Sequence, residues 1–484
     1  MSMSPRNSRL CAAALAALLA GCAAGPDFTV PDAPHPDRYI PAETSRERAP
    51  GTAAPEAEWW RRFGSPELDA LMTEAQAGNA TLAAARANLD RSRHALQAGY
   101  GIFFPSVGAE AGATRQQSSP AKLDLDTPPA IFNLFTLSGT ISYALDLFGA
   151  NRRLVEELGA ERDLAEAEEQ AAILTLEANI VDTVIARAAY RAEIEATEAL
   201  AAAERDQVGI AEIQARSGTV GYAAVLTLRG QLAATRAALP GLAQKASQAE
   251  DLLATLSGHA PGEWRAPDIG LAALTLPADL PVVLPSDLVR QRPDILAAEA
   301  TAHAAGAEVG VATAALLPSI SLSGSYGSNA TKGGALFTGN SNFWSFGADL
   351  AMPVFEGGSL WYRRKAAIDT YRQAGELYRQ TVLNAFGEVA DTLQALDHDA
   401  DTLKAEDEAL DAAEEAQRLV QANYAAGLSG YLDVLAADAQ VRQASIGRLQ
   451  AIAVRYQDVV ALFAALGGGW RPNPQEDRVA TTTW

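Results

Sequence analysis

The chain has 484 residues and a formal charge of −21, with 59 acidic against 38 basic side chains. That balance argues against a surface built for nucleic acid, which needs a basic face, and against recruitment of the chain to an anionic membrane by its overall charge. Its two cysteines, Cys11 and Cys22, both lie at the N-terminus, and its five histidines (His35, His94, His259, His303 and His398) are dispersed, which excludes a disulfide-stapled core and a His/Cys metal site.

Residues 1–21 read as an export signal. Arg6 and Arg9 form a basic start, and Cys11–Ala20 is an apolar run too short to span a bilayer. Leu19-Ala20-Gly21-Cys22 resembles the lipobox of bacterial lipoproteins. The resemblance implies that Cys22 becomes the mature N-terminus, carrying S-diacylglycerol and N-acyl lipid; the alternative is an ordinary signal peptide in which Cys22 is incidental. Cleavage removes two arginines, taking the charge from −21 to −23. No later segment is apolar over about 18 residues, so a membrane crossing by this chain would have to be a β-barrel. Residues 22–64 are rich in proline and read as an extended tether ending in Trp59-Trp60-Arg61-Arg62-Phe63.

A first structural unit spans 65–258. Ser65 caps a helix with Pro66 at its first position. Leu68, Leu71, Met72 and Ala75 recur at helical spacing, and the pattern continues to about Tyr100 with a break at Gly78-Asn79. From about 105 to 148 the period changes to two. Val107, Ala109, Ala111 and Ala113 form one alternating run; a polar loop over about 116–133 follows; Ile141, Tyr143, Leu145 and Leu147 form a second. Two such runs make a hairpin. Residues 149–216 read as one helix, because no proline occurs from Ala130 to Leu239 and the composition is helix-forming throughout. Its length is roughly 100 Å, far beyond a globular helix. A turn at Gly218–Gly221 leads to a return helix over 219–257, and residues 259–286 form a Pro-rich connector.

The pattern then begins again, over 287–468, before a tail of 469–484. Leu317-Pro318-Ser319-Ile320 repeats Phe104-Pro105-Ser106-Val107 at an offset of 213 residues. A second hairpin covers about 318–355, with Ile320, Leu322 and Tyr326 on one face of its first strand. Trp344, Phe346, Ala348, Leu350, Met352 and Val354 share a face of the next. A long helix covers 357–427. The turn Gly427–Gly430, followed by Tyr431, repeats Gly218–Gly221 and Tyr222 at an offset of 209, and a return helix covers 429–466. Landmarks in one order at nearly constant offset indicate an internal duplication.

The chain has four strands with apolar faces and no other sheet to cover them. Four strands cannot close a barrel; twelve, from three chains, can, with apolar faces toward lipid and Ser, Gly, Asp and Glu toward a wet lumen. Tyr143, Tyr326, Phe343 and Trp344 suit the membrane interfaces. Val382, Phe386, Val389, Leu393 and Leu396 step by four and three as in a coiled-coil seam, as do Ile173, Leu176, Ile180 and Val184. Abundant alanine on the other helix faces permits a neighbour on each side.

The whole resembles a TolC-type outer membrane factor, in the OprM/NodT lipoprotein branch that serves resistance–nodulation–division efflux pumps. The carriers are Cys22 with Gly25-Pro26-Asp27-Phe28, Trp59–Phe63 with Pro66-Glu67-Leu68, Leu145–Gly149 with Arg152-Arg153, Arg292-Pro293-Asp294-Ile295, Leu317–Ser321, Pro353–Gly358 and Ala465–Trp470. The resemblance implies a mainly α homotrimer of the outer membrane of a Gram-negative bacterium. A twelve-stranded transmembrane β-barrel, embedded in outer-membrane lipid, would continue into a twelve-helix periplasmic tunnel. It would be a passive exit duct for drugs or small solutes delivered by a periplasmic adaptor and an inner-membrane pump, without nucleotide or nucleic acid. It also implies a periplasmic gate at Gly218, Gly221, Gly427 and Gly430, with Tyr431 and Leu432 matching. The family's pore-narrowing Asp position is Ala436 here; either Asp433 or Asp438 supplies the ring charge, or Leu432 closes the pore. The acidic runs Glu166–Glu169 and Asp397–Glu415 either bias the lumen toward cations or are solvated helix faces. No phosphate loop, nucleophile elbow or His pair points to an enzyme. The rival readings are an exit duct for type I protein secretion and a periplasmic coiled-coil structural lipoprotein.

Overall fold

The computed structural model describes residues 23–34, 36, 38–40, 57–117, 128–277, 280, 288–289 and 291–468. Cys22, part of the Pro-rich connector and the tail from 469 onward lie outside the described residues. In chain order the regular elements are α1 (Pro66–Gly78), α2 (Ala80–Gly99), β1 (Ser106–Gln117), β2 (Ile131–Leu145), α3 (Ala150–Arg216), α4 (Tyr222–Leu256), α5 (Pro293–Ala314), β3 (Ser319–Ala330), β4 (Asn342–Ala351), α6 (Ser359–Ala425) and α7 (Tyr431–Ala465). The two long helices are 67 residues each and the two return helices 35 each. This equality is the internal repeat expressed in three dimensions.

The chain divides into two compact units. One comprises Met1–Asp32, Leu89–Ala165 and Ala298–Tyr378, the other Ala33–Asn88, Glu166–Ala297 and Arg379–Trp484. The first holds a single antiparallel sheet in the order β1-β2-β3-β4. The two hairpins are thus joined side by side through β2 and β3, one strand from each repeat. β2 begins at Ile131, well before the Ile141 run that alternation picks out. In Phe132-Asn133-Leu134-Phe135 large apolar side chains fall on both faces, which hides the period of two.

In the second unit, caps decide where the helices begin. The Ser65 side chain accepts the Leu68 amide at 3.3 Å, and Pro66 needs no partner at its position. The break at Asn79 is a cap as well: Oδ1 accepts the Leu82 amide at 2.9 Å while Nδ2 donates to the Leu256 carbonyl at 2.9 Å. One side chain therefore starts α2 and ties the end of α4. α5 begins at Pro293, just after Arg292. Arg292 is buried and donates to the Ala465 carbonyl at 2.9 Å, to Asp294 at 3.0 and 2.8 Å and to Glu388 at 2.7 Å. The Arg-Pro-Asp motif is thus a clamp on the end of α7. Val382, Phe386, Val389, Leu393 and Leu396 are buried, as are Leu176, Ile180 and Val184; Ile173 is half-buried. α3 meets the return helix of the other repeat: the Gln207 amide donates to the Leu435 carbonyl at 2.6 Å, and Gln450 donates to Glu193 at 3.0 Å.

The Trp59–Phe63 turn is built into this unit. Trp59 is fully buried and stacks on Phe463 at 5.1 Å. Its indole N–H donates to Glu177 Oε2 at 3.2 Å, and Gln76 Nε2 donates to Glu177 Oε1 at 2.9 Å. Burial pushes the Glu177 carboxyl up to about 7, with the charge of Glu58 adding to it and the two hydrogen bonds opposing it. A raised carboxyl pKa favours the native state below the unfolded value near 4.5, and that contribution is lost as the pH rises through 7. Glu177→Gln is therefore expected to flatten the pH dependence of thermal unfolding between pH 5 and 8. At pH 8 the substituted protein gains up to about 3 kcal/mol over the parent. Parallel unfolding-versus-pH profiles for the two proteins would contradict this.

Candidate functional site

The sheet register gathers the apolar residues of all four strands on one face. Val107 lies opposite Ile141, Ile141 opposite Gly324, and Gly324 opposite Phe346. On the same face, two steps along in one direction, Leu145, Ile320 and Leu350 form a row, and one step along in the other, Gly139, Tyr326 and Trp344 form another. Gly324 makes room in its row: a Cβ there would sit 3.0 Å from Ile141 Cγ2. The other face carries Ser106, Ser142 and Ser323 in one row and Gly108, Thr140, Ser325 and Ser345 in the next, with Glu110 and Asp349. The Ser106 and Ser142 hydroxyls meet at 2.7 Å, as do those of Ser325 and Ser345. Phe343 falls on this polar side, opposite to Trp344, so the strand-end aromatics serve two faces. The apolar face is bare: Val107 is 79% exposed, Trp344 76%, Phe346 75% and Leu350 70%.

At the base of this sheet the segment Ala23–Phe28 is locked in place. The Ala24 amide donates to the Phe148 carbonyl at 2.8 Å, and Arg153 donates to the Ala24 carbonyl at 3.1 Å, Asp27 at 2.7 Å and Glu156 at 2.7 Å. Phe28 stacks on His303 at 4.3 Å. The fit depends on missing side chains: a Cβ on Gly149 would lie 2.7 Å from that of Ala23, and one on Gly310 2.7 Å from the Ala24 carbonyl. Asp146 caps α3 by accepting the Asn151 and Arg152 amides at 3.1 Å each. The motifs Gly25–Phe28 and Asp146–Arg153 are thus two sides of one contact, more than a hundred residues apart in sequence.

The two helix turns are backbone copies of one another. Gly218 (φ 78°) donates to the Ala215 carbonyl at 3.1 Å, and Thr219 to Gln214 at 3.0 Å. Gly427 (φ 74°) donates to Tyr424 at 2.9 Å, and Leu428 to Asn423 at 2.8 Å. This pair of hydrogen bonds to the last helical turn, the first of them donated by the left-handed residue itself, is what glycine at that position provides. Gly221 and Gly430 are extended and precede the return helices. The side chains differ. At the first turn Ser217 and Thr219 hydroxyls donate to the Gln214 carbonyl at 2.9 and 2.8 Å. At the second, Asp433 Oδ2 accepts the Gly430 amide at 2.8 Å, and Tyr431 packs near Tyr424 at 5.5 Å.

Leu432 is half-buried, while Asp433 and Ala436 are exposed. Asp438 accepts from Gln417 at 3.0 Å and from Arg442 at 2.9 Å. Both carboxylates singled out near the turn thus have partners within the chain, a role that spacing alone does not announce. The acidic runs are likewise partly engaged. Glu168 accepts from Asn88 at 3.2 Å and Glu169 pairs with Arg86 at 3.4 Å. Burial, and then the neighbouring Asp458, push the Asp399 carboxyl up to about 6. Among the described residues no cluster of three or more His, Cys, Asp or Glu side chains is arranged to hold a metal ion, and no helix is long and apolar enough to cross a membrane.

The chain matches a known family. The family model described as "Outer membrane efflux protein" matches residues 71–259 and 284–468, one block in each repeat. The chain is 31% identical over 483 residues to the probable efflux pump outer membrane protein TtgC of Pseudomonas putida, covering 96% of each. It is 28% identical over 459 residues to the probable outer membrane lipoprotein SilC of Salmonella typhimurium, covering 94% of this chain and 97% of that one. Among solved structures, the outer-membrane channel OprN matches with a TM-score of 0.84 at 28% identity, covering 93% of this chain and all of that one. With both repeats matched and its relatives aligned nearly end to end, the chain belongs to the outer membrane efflux protein family and is an efflux channel of the outer membrane.

Proposed function

We propose that three copies of this chain close one twelve-stranded barrel in the outer membrane, and that the long and return helices of the three form a periplasmic tunnel. The observation that carries this reading is the bare apolar face of a four-stranded sheet whose two outer strands, β1 and β4, have no further partner among the described residues. Free strand edges and an uncovered apolar face are both removed by closure within lipid. Cys22, outside the described residues, carries the S-diacylglycerol and N-acyl lipid. The contacts of Ala23 and Ala24 with Gly149, Phe148 and Arg153 at the base of the sheet support this, because they lie next in sequence to Cys22.

The duct takes drugs or other small solutes from an inner-membrane pump of the resistance–nodulation–division type through a periplasmic adaptor, and the pump supplies the energy. Crosslinking in native membranes followed by purification of this chain is expected to bring down both partners. Recovery of the chain with neither would count against the efflux assembly.

The turns at Gly218–Gly221 and Gly427–Gly430 form the periplasmic gate. Tyr431 and Leu432 narrow the pore, and Asp433 acts by fixing the turn through its bond to the Gly430 amide rather than as a ring of charge. Asp433→Asn keeps an acceptor oxygen for that amide and is expected to leave single-channel conductance in planar bilayers unchanged. Asp433→Ala removes a cap worth about 1 kcal/mol and raises the leak, and Ala436→Asp changes conductance by adding three charges at the tip. An altered conductance in Asp433→Asn would assign the gate to charge instead.

A further inference from the structure

The first turns of α6 carry Trp361-Tyr362-Arg363-Arg364-Lys365, the one place in this acidic sequence where three basic residues are consecutive. Arg364 is used internally, donating to the Thr313 hydroxyl of α5 at 3.1 Å. The other four side chains are exposed, Trp361 at 50% and Tyr362 at 68%. Lys365 Nζ lies 5.6 Å from the centre of the Trp361 ring and 5.9 Å from that of Tyr362. Among the described residues, no carboxylate forms an ion pair with Arg363 or Lys365, and the nearby Asp369 is taken by Arg372 at 3.0 Å.

Two independent features fix where this cluster sits. The apolar face of β4 continues past the strand through Met352 and Val354, with the fully turned-out Phe355 next to it, and α6 begins four residues later. Separately, Gly310 of α5 packs on Ala24, two residues after Cys22 in sequence, and Thr313, one turn along the same helix, receives Arg364. The aromatic–basic cluster and Ala24 therefore lie at one level, at the end of the bare apolar face.

We propose that Trp361, Tyr362, Arg363 and Lys365 bind the phosphate headgroup of an anionic phospholipid at the periplasmic surface of the outer membrane. This rests on reading the sheet's apolar face as lipid-facing. Amphipathic rings favour the headgroup level, where their bodies touch the glycerol and upper acyl chain. Lysine and arginine there extend along the apolar surface and place their cations on phosphate oxygens. The rings require an apolar neighbour, which a free phosphate ion lacks. Two cations without carboxylate partners favour a headgroup with net negative charge over a zwitterionic one.

The test uses full-length protein purified as the trimer in mild detergent. Native mass spectrometry measures its occupancy by phosphatidylglycerol and by phosphatidylethanolamine, with inorganic phosphate as competitor. Expected are preferential retention of phosphatidylglycerol and a loss of about tenfold in affinity when Arg363→Gln and Lys365→Gln are combined. Lys365→Arg should retain binding. Trp361→Ala with Tyr362→Ala should weaken it, and Lys332→Gln, beyond the other end of the sheet, should leave it unchanged. Equal occupancy of the parent and the doubly neutralised variant would overturn the proposal, as would displacement of the lipid by millimolar phosphate. Lower trimer stability at unchanged lipid occupancy would overturn it too, and assign the rings to the neighbouring chain. Parent protein that purifies as a monomer would count against the lipid-facing sheet itself, and the inference falls with it.

Discussion

Four antiparallel strands present one apolar face, and nothing else in the described chain covers it. The rest of the molecule follows from that constraint. Apolar surface of this kind is worth about 25 cal/mol per Å² when removed from water, so rows such as Val107, Ile141 and Phe346 cannot remain in solvent. The opposite face, with paired serine hydroxyls and the carboxylates of Glu110 and Asp349, suits water. A sheet with one face for lipid and one for water suits a piece of barrel wall, and on the proposed reading the outer edges of β1 and β4, unpaired among the described residues, are where the next copy joins.

What the strands require at their base is supplied locally. Each hairpin leads into a 67-residue helix through a glycine-containing bend, and in the first repeat Asp146 caps that helix while Gly149 admits Ala23 against it. Arg153 then holds Ala24 and Asp27, so the segment following Cys22 in sequence is fastened by charge and backbone to the end of the sheet. In the helical unit the clamps use distant partners: Arg292 on the Ala465 carbonyl, Asn79 on Leu256, and Trp59 on Glu177. Glu177 is the one whose burial carries a pH cost, because its carboxylate is held by two neutral donors rather than by a cation.

Much of this was legible in the sequence because it is periodic. Spacing of two at Val107–Ala113 and at Trp344–Val354, spacing of three and four at Val382–Leu396, and landmarks repeating near 210 residues each follow from geometry that a sequence must obey. The first half of β2 was illegible because Phe132–Phe135 is apolar on both sides. The partners of long-range polar contacts were illegible for a different reason. Glu177 looks like any other acidic residue of an alanine-rich helix, and Trp59, which it serves, is 118 residues away. Near the tip, the departure at Ala436 drew attention to Asp433 and Asp438 as charges. Their bonds to the Gly430 amide and to Gln417 and Arg442 are a matter of local geometry, which residue type does not encode.

Closure of the sheet between chains is the central claim, and a covalent edge test reaches it most directly. Ala111 of β1 and, in turn, Phe346, Ala348 and Leu350 of β4 lie on the apolar face. Each is replaced by cysteine in pairs with Ala111→Cys, and the protein is oxidised in native outer membranes and separated under denaturing conditions. The barrel predicts one register at which a three-chain covalent species accumulates, because every β1 edge meets a β4 edge of the next copy. Monomers alone at every register, or two-chain species as the largest product, would contradict it.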